Sequence, residues 1–575
     1  MLLMMVVLFG GLALWQMMSP KSESPSPEPS PASEVVAPAA ESEQVAAPGD
    51  GAPAASALDA AVRQPVRITS RYDDSTVEFY VSNIGGRVAN YRVVEPEQYR
   101  FEQGAQDLFP SALTCDDAGV CKDEGDASRA SQLPLTLRVR GLPELDERSV
   151  WAVDDEASKC AVHGDVVDCE ELVMRWGSSD GKVTLTRVFK PSPEAPFGLQ
   201  SDLTIRNNSP EAVFMGDVVM TLYGGWSVPS GGIFNQEASP TEVACFADGK
   251  FQGRPAKKLD EARRYENGAR YVAINGRYFM SSILARNPDG SAGEADGCTL
   301  QYAARDADNT VALELKRSEI QVPQHDEITL SYAYVAAPKR IEMLKVWDTK
   351  LEDTVRFGMF AFLAVFIRWL LVFFHGLVSN WGIAIVLLTL SIKLLLLPVT
   401  AKSFQSMEKM KLISPKLEEL KKKYENDQQK LAQEQMQLFR DEGVNPLSGC
   451  LPMVLQMPIY FALYRTIYSS SELYHAPFMG WISDLSQRDP YFVLPILCSI
   501  LMLGQVKFMP QAANTNPQMK MMQWLTPMMF IPVTLFLPAG LVLYIFMNII
   551  LSMLQQLYVR NRLANPTSPS VPTRA

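Results

Sequence analysis

Lys393 lies twelve residues into an otherwise apolar run, Trp381–Thr400. A charge at that depth in a bilayer costs about 2.5–3.5 kcal/mol on insertion scales, so an intramembrane cation is a functional hypothesis by default. Two readings compete. Lys393 is only seven residues from Thr400, so its aliphatic stem can snorkel toward the headgroups. Alternatively it faces a wet cavity, and its neighbours favour this. Thr389, Lys393 and Thr400 share a helical face. Gln456, Tyr460 and Tyr464 do the same in a second apolar run, and Tyr544, Asn548, Ser552 and Gln555 in a last one. One polar stripe is ordinary interhelical hydrogen bonding. Three stripes, one cationic, in spans without Asp or Glu, imply water and a counter-charge supplied from outside the chain.

Other chemistry is poorly provided for. His163, His325, His375 and His475 are scattered and no CxxC occurs, so neither a metal site nor a cofactor is expected. Asp154-Asp155-Glu156 reads as a solvated turn rather than an acid/base pair, and the chain is not expected to be an enzyme. Direct nucleic-acid binding is not expected either. An ion-coupled transporter would need intramembrane carboxylates and inverted repeats. A membrane-anchored binding protein or enzyme would leave the helical half unexplained.

The elements that must carry these residues fall into two halves. Residues 357–575 hold 18 Lys and Arg against 11 Asp and Glu, leaving 35 against 53 in residues 1–356. An acidic half joined to a basic, apolar one suggests two solvents, water and a lipid bilayer. Residues 1–18 read as an uncleaved signal anchor, about 27 Å long as a helix. Residues 19–62, rich in Pro, Ser, Ala and Glu, read as a disordered linker.

Residues 63–340 read as one large all-β sandwich. Val77, Phe79 and Val81, then Leu199, Leu203 and Ile205, then Val311, Leu313 and Leu315, then Ile328, Leu330, Tyr332 and Tyr334 repeat a period of two. Asn207-Asn208-Ser209-Pro210, Gly224-Gly225 and Asn287-Pro288-Asp289-Gly290 punctuate them. Cys115, Cys121, Cys160, Cys169, Cys245 and Cys298 belong to this half and leave the disulfide pairing open.

Residues 379–560 read as a five-helix membrane core, with spans at about 381–400, 450–468, 491–508, 521–537 and 540–557. Between the first two, residues 401–446 form a helical hairpin, and residues 561–575 a short tail. The segment Ala401–Ser448 holds nine Lys and Arg, whereas Ser471–Pro490 holds only Arg488. By the positive-inside rule the hairpin and C-terminus are cytoplasmic and the β domain periplasmic. That count closes only if residues 356–378, apolar but carrying Arg368 and His375, lie in the interface as an amphipathic helix.

Family likeness resides in short runs. Val444-Asn445-Pro446-Leu447-Ser448-Gly449-Cys450-Leu451-Pro452, continuing through Gln456-Met457-Pro458-Ile459-Tyr460, resembles the pattern of the YidC family of membrane protein insertases. Asn380-Trp381-Gly382, Leu397-Pro398-Val399-Thr400, Ala476-Pro477-Phe478 and Pro538-Ala539-Gly540-Leu541-Val542-Leu543-Tyr544 are similar to that family's runs, in the same order. In the β half Gly268-Ala269-Arg270-Tyr271-Val272-Ala273 followed by Tyr278-Phe279 is the best match. The resemblance implies a bacterial inner-membrane insertase and chaperone, working alone or with the Sec translocon. Its groove would be open to cytoplasm and lipid and closed toward the periplasm. It implies that Lys393 is the groove cation, drawing in the hydrophilic segment of a nascent membrane-protein chain. Thr389, Met457, Tyr460, Leu463 and Tyr544 fall where relatives contact that chain, and Gln456 and Asn548 complete the candidate groove. Ribosome or signal-recognition components are expected at the hairpin. Gram-negative relatives usually carry Arg at the position of Lys393 and a more basic tail than Asn561–Ala575.

Overall fold

The computed structural model describes residues 64–564 except 73–74, 96–98, 100–112, 116–120, 124–131, 164–165, 193–194, 196, 226–241, 305–309, 425–426, 444–450, 509–524, 526–527 and 529. The expected signal anchor and linker, residues 521–524, 526–527 and 529 of the fourth span and residues 565–575 of the tail lie outside the described residues.

The alternation read in the sequence becomes two stacked sheets. From edge to edge the larger runs through Lys250–Pro255, Glu242–Ala247, Tyr271–Asn275, Phe279–Arg286, Glu327–Pro338, Gly198–Asn207, Val183–Pro191, Val166–Gly177, Val66–Tyr72, Ser75–Ser82 and Arg87–Glu95. The smaller runs through Arg263–Tyr265, Gly297–Ala304, Thr310–Val322, Val213–Gly225 and Thr136–Val139. Neighbours are antiparallel except Val66–Tyr72 on Val166–Gly177, which are parallel. Period-two residues such as Phe79, Leu203, Leu313 and Tyr334 fill one core shared by both sheets, because alternate side chains of a strand point to one face. Ile328, at a strand end, is only half-buried. Cys245 of the larger sheet is bonded to Cys298 of the smaller, and Cys160 to Cys169 within a hairpin. The backbone register sets Cys115 opposite Cys121.

Past the sandwich come α1 (Ile341–Lys345), α2 (Ala361–Val378), α3 (Trp381–Leu412), α4 (Ser414–Lys423), α5 (Gln428–Asp441), α6 (Leu451–Ser469), α7 (Val493–Phe508) and α8 (Ala539–Ala564). Among the described residues, α2 and stretches of α3 and α8 are long and apolar enough to cross a membrane. Helix α3 does not stop at Thr400; it runs unbroken through Pro398 to Leu412. Lys, Glu, Gln and Met are good helix formers, so the change from apolar to charged composition is no break for the backbone. The break falls at Ile413, just ahead of Pro415. Helices α4 and α5 then fold back as a hairpin, Ile413 and Leu417 packing on Leu438 and Phe439.

Sandwich and helices meet in a seam. Arg277 donates from Nε to the carbonyl of Tyr468 at 3.0 Å and stacks 3.8 Å over the Tyr468 ring. A β-domain cation thereby satisfies a last-turn carbonyl of α6. Tyr278 and Phe279 pack on Tyr474, with ring centroids 5.2 and 5.1 Å apart. Arg368, midway along α2, pairs with Glu342 of α1 at 2.8 Å and with Glu472 of the α6–α7 connection.

Candidate functional site

The outer end of the helical bundle is closed by the α6–α7 connection against the first residues of α3 and α8. Asn380 caps α3: its Oδ1 accepts from the Ile383 amide at 3.0 Å, while its Nδ2 donates to the Phe478 carbonyl at 3.0 Å. Phe478 then packs closely on Gly382, where an added Cβ would sit 1.9 Å from the ring. Two of the short runs that carry the family likeness are thus one joint. The third closes beside it, with the amides of Ala539 and Gly540 donating to the carbonyls of Gln487 and Leu485 at 2.7 and 2.9 Å. Substituting Gly382 by Ala should cost about 1–3 kcal/mol through overpacking. Thermal unfolding of the solubilised chain checks this against Gly376→Ala, where a Cβ meets nothing within 4 Å.

Inward from this closure the three polar stripes converge on α8. Gln456 Nε2 donates to the Tyr544 hydroxyl at 2.7 Å, and Asn548 Nδ2 to the Tyr460 hydroxyl at 2.7 Å. The two tyrosine rings cross edge to face with centroids 5.6 Å apart. On the α3 side Lys393 Nζ donates to Ser552 Oγ at 2.8 Å and Gln555 Nε2 to Thr400 Oγ1 at 2.6 Å. Tyr544, Asn548, Ser552 and Gln555 are all buried. No carboxylate approaches Lys393 among the described residues. The buried Oδ1 of Asn548 and both amide atoms of Gln556 have no partner among the described residues.

Of the residues singled out in the sequence, Lys393, Gln456, Tyr460, Tyr544 and Asn548 come together. Met457, next to Gln456 in α6, is half-buried. Thr389 and Leu463 are not brought in. Both are fully buried toward the closed end, and the Thr389 hydroxyl turns back to the Ile385 carbonyl at 2.7 Å. Ser552 and Gln555 were legible as stripe members, yet their direct contacts with α3 were not. Arg368 carries the same signal as Lys393, a lone cation in an apolar run, but here two carboxylates neutralise it.

Residues 373–566 match the family described as 60Kd inner membrane protein, and residues 123–370 match the YidC periplasmic domain. A membrane protein insertase YidC from Shewanella amazonensis is 36% identical over 66% of this chain and 68% of its own length. One from Anaeromyxobacter dehalogenans is 31% identical over 98% of both chains. The chain belongs to the YidC family of membrane protein insertases. The periplasmic-domain match covers most of the sandwich and runs on into α2, and the inner-membrane-protein match covers the helices from the end of α2 through α8; the chain is a membrane protein insertase.

Proposed function

We propose that the polar faces of α3, α6 and α8 form the client groove, and that Lys393 supplies its attracting charge. An acidic hydrophilic segment of a nascent membrane protein enters from the cytoplasm and pairs with Lys393 while its apolar segment passes into lipid. One observation carries this reading: the only side-chain hydrogen-bond partner of Lys393 among the described residues is a neutral hydroxyl, so its charge is free for a client. The orphaned amide atoms of Asn548 and Gln556 support a wet interior, since polar groups without partners are costly in hydrocarbon. Leu394 and Leu395, next in sequence, are 60% and 72% exposed, which sets the cation at the border between polar interior and lipid. Insertion of paired acidic and neutralised clients by Lys393 variants tests the reading.

In this scheme α4, α5 and the C-terminus are cytoplasmic, and α2 lies in the periplasmic interface. The Arg368 contacts support that placement, because a crossing α2 would draw Glu342, 64% exposed as a side chain, into hydrocarbon. Phe366, Trp369 and Phe373 form an exposed aromatic ladder at 6.0 Å steps suited to the membrane interface. The hairpin tip, with Lys421, Lys422 and Lys423, is the place for ribosome or signal-recognition components, and the Sec translocon is a further partner. Cysteines introduced at Lys422 and at Lys250 should label from opposite sides of the membrane, Lys422→Cys from the cytoplasm. Labelling of both from one side would overturn the topology.

A further inference from the structure

Arg368 and Lys393 each interrupt an apolar stretch of helix, and they are held in opposite ways. Arg368 is locked between two carboxylates. Among the described residues Lys393 is met by Ser552 alone, at 2.8 Å. The Ser552 hydroxyl has one proton, and that proton is committed to the Asn548 carbonyl at 2.6 Å. Only its lone pairs are left for Lys393, so toward the ammonium Ser552 can act solely as an acceptor. The same Asn548 donates to Tyr460, which ties the position of the hydroxyl to the α6 wall. A lysine on a flexible four-carbon stem, with exposed Leu394 and Leu395 beside it, has a competing route outward to the headgroups.

We propose that Ser552 is the positioning residue for the groove cation: a neutral acceptor that holds the Lys393 ammonium inward without quenching its charge. One of its three N–H donors is used and two stay directed at the groove, where an acidic client segment takes them. A carboxylate at position 552 would hold the ammonium as well but cancel the attraction. This inference rests on the groove reading above.

The experiment measures protease-protected insertion of an acidic client and its neutralised partner, in vesicles holding equal amounts of full-length variant. Ser552→Ala and the near-isosteric Ser552→Cys should each lower insertion of the acidic client roughly threefold to tenfold, the size expected for one charge-assisted hydrogen bond partly replaced by water. The neutralised client should lose less. Ser552→Thr, which keeps the hydroxyl, should retain insertion. Ser552→Asp should fall to the level of Lys393→Ala although the lysine is intact. In a Lys393→Ala background Ser552→Ala should add no further loss, because its effect runs through the amine. Wild-type insertion by both Ser552→Ala and Ser552→Cys, with Lys393→Ala defective, would overturn this inference and leave the groove reading standing. An equal loss in the Lys393→Ala background would reduce Ser552 to helix packing and overturn it too. Normal insertion by Lys393→Ala would remove both.

Discussion

Lys393→Ala is expected to lose at least tenfold of the insertion of clients whose translocated segment is acidic. Two unit charges about 4 Å apart attract by about 4 kcal/mol at an effective dielectric constant near 20, and far less in bulk water. In the proposed groove that difference is available to an acidic client segment. Lys393→Glu should be worse than Ala, since like charges repel at the same range. Lys393→Arg should be tolerated, because charge matters more than shape when the fixed partner is a single hydroxyl. Clients with a neutral translocated segment should respond least. Protease protection in vesicles carrying each variant reads the outcome. If Ala and Glu insert the acidic client as well as wild type, Lys393 is a snorkelling anchor and the electrostatic mechanism fails.

The second large effect belongs to the seam. The side chains of Arg368 and Glu472 are only 12% and 6% exposed, whereas that of Glu342 is 64% exposed. Removing one partner of a buried pair leaves an uncompensated charge and costs about 3–5 kcal/mol, while an exposed ion pair contributes about 0–1 kcal/mol. Glu472→Ala should therefore destabilise the solubilised chain clearly, though by less than that full cost because Glu342 still faces Arg368, and Glu342→Ala only slightly. Thermal unfolding of the two variants side by side decides it, and equal shifts would mean that the triad is not organised around Glu472. The Arg368 guanidinium holds the Glu342 carboxyl down at about 2, below its ordinary 4.5. Because this pKa is depressed on folding, the small contribution of Glu342 is present above pH 4.5 and disappears as pH falls toward 2.

What could be read from the sequence follows from how local each signal is. Phe79, Leu203 and Leu313 announced their burial because a strand's alternation is written in neighbouring residues. Lys393 announced itself because an apolar run makes any charge conspicuous. Pairings could not be read. Arg368 and Glu472 are 104 residues apart, and Lys393 and Ser552 are 159 apart, so nothing local links either pair. The surroundings of Thr389 were equally illegible: spacing places it on the face of Lys393, and only the fold shows that α3 is buried at that level, with the hydroxyl donating to the Ile385 carbonyl. The end of α3 misled because polarity changes at Ala401 while helix propensity does not.

The four cross-helix contacts of the proposed groove all end on α8, the last helix among the described residues. During synthesis, then, Lys393, Thr400, Gln456 and Tyr460 are in place before any of their α8 partners exists. Until Ala539 and the residues after it arrive, the unfinished chain presents a cation and the polar side chains of Gln456 and Tyr460 without the partners that α8 brings, while the Thr400 hydroxyl already donates to its own helix. That is the predicament of the half-made membrane proteins this family exists to serve. An insertase built this way completes its own groove only as it finishes being inserted, so a chain truncated before α8 should behave as a client.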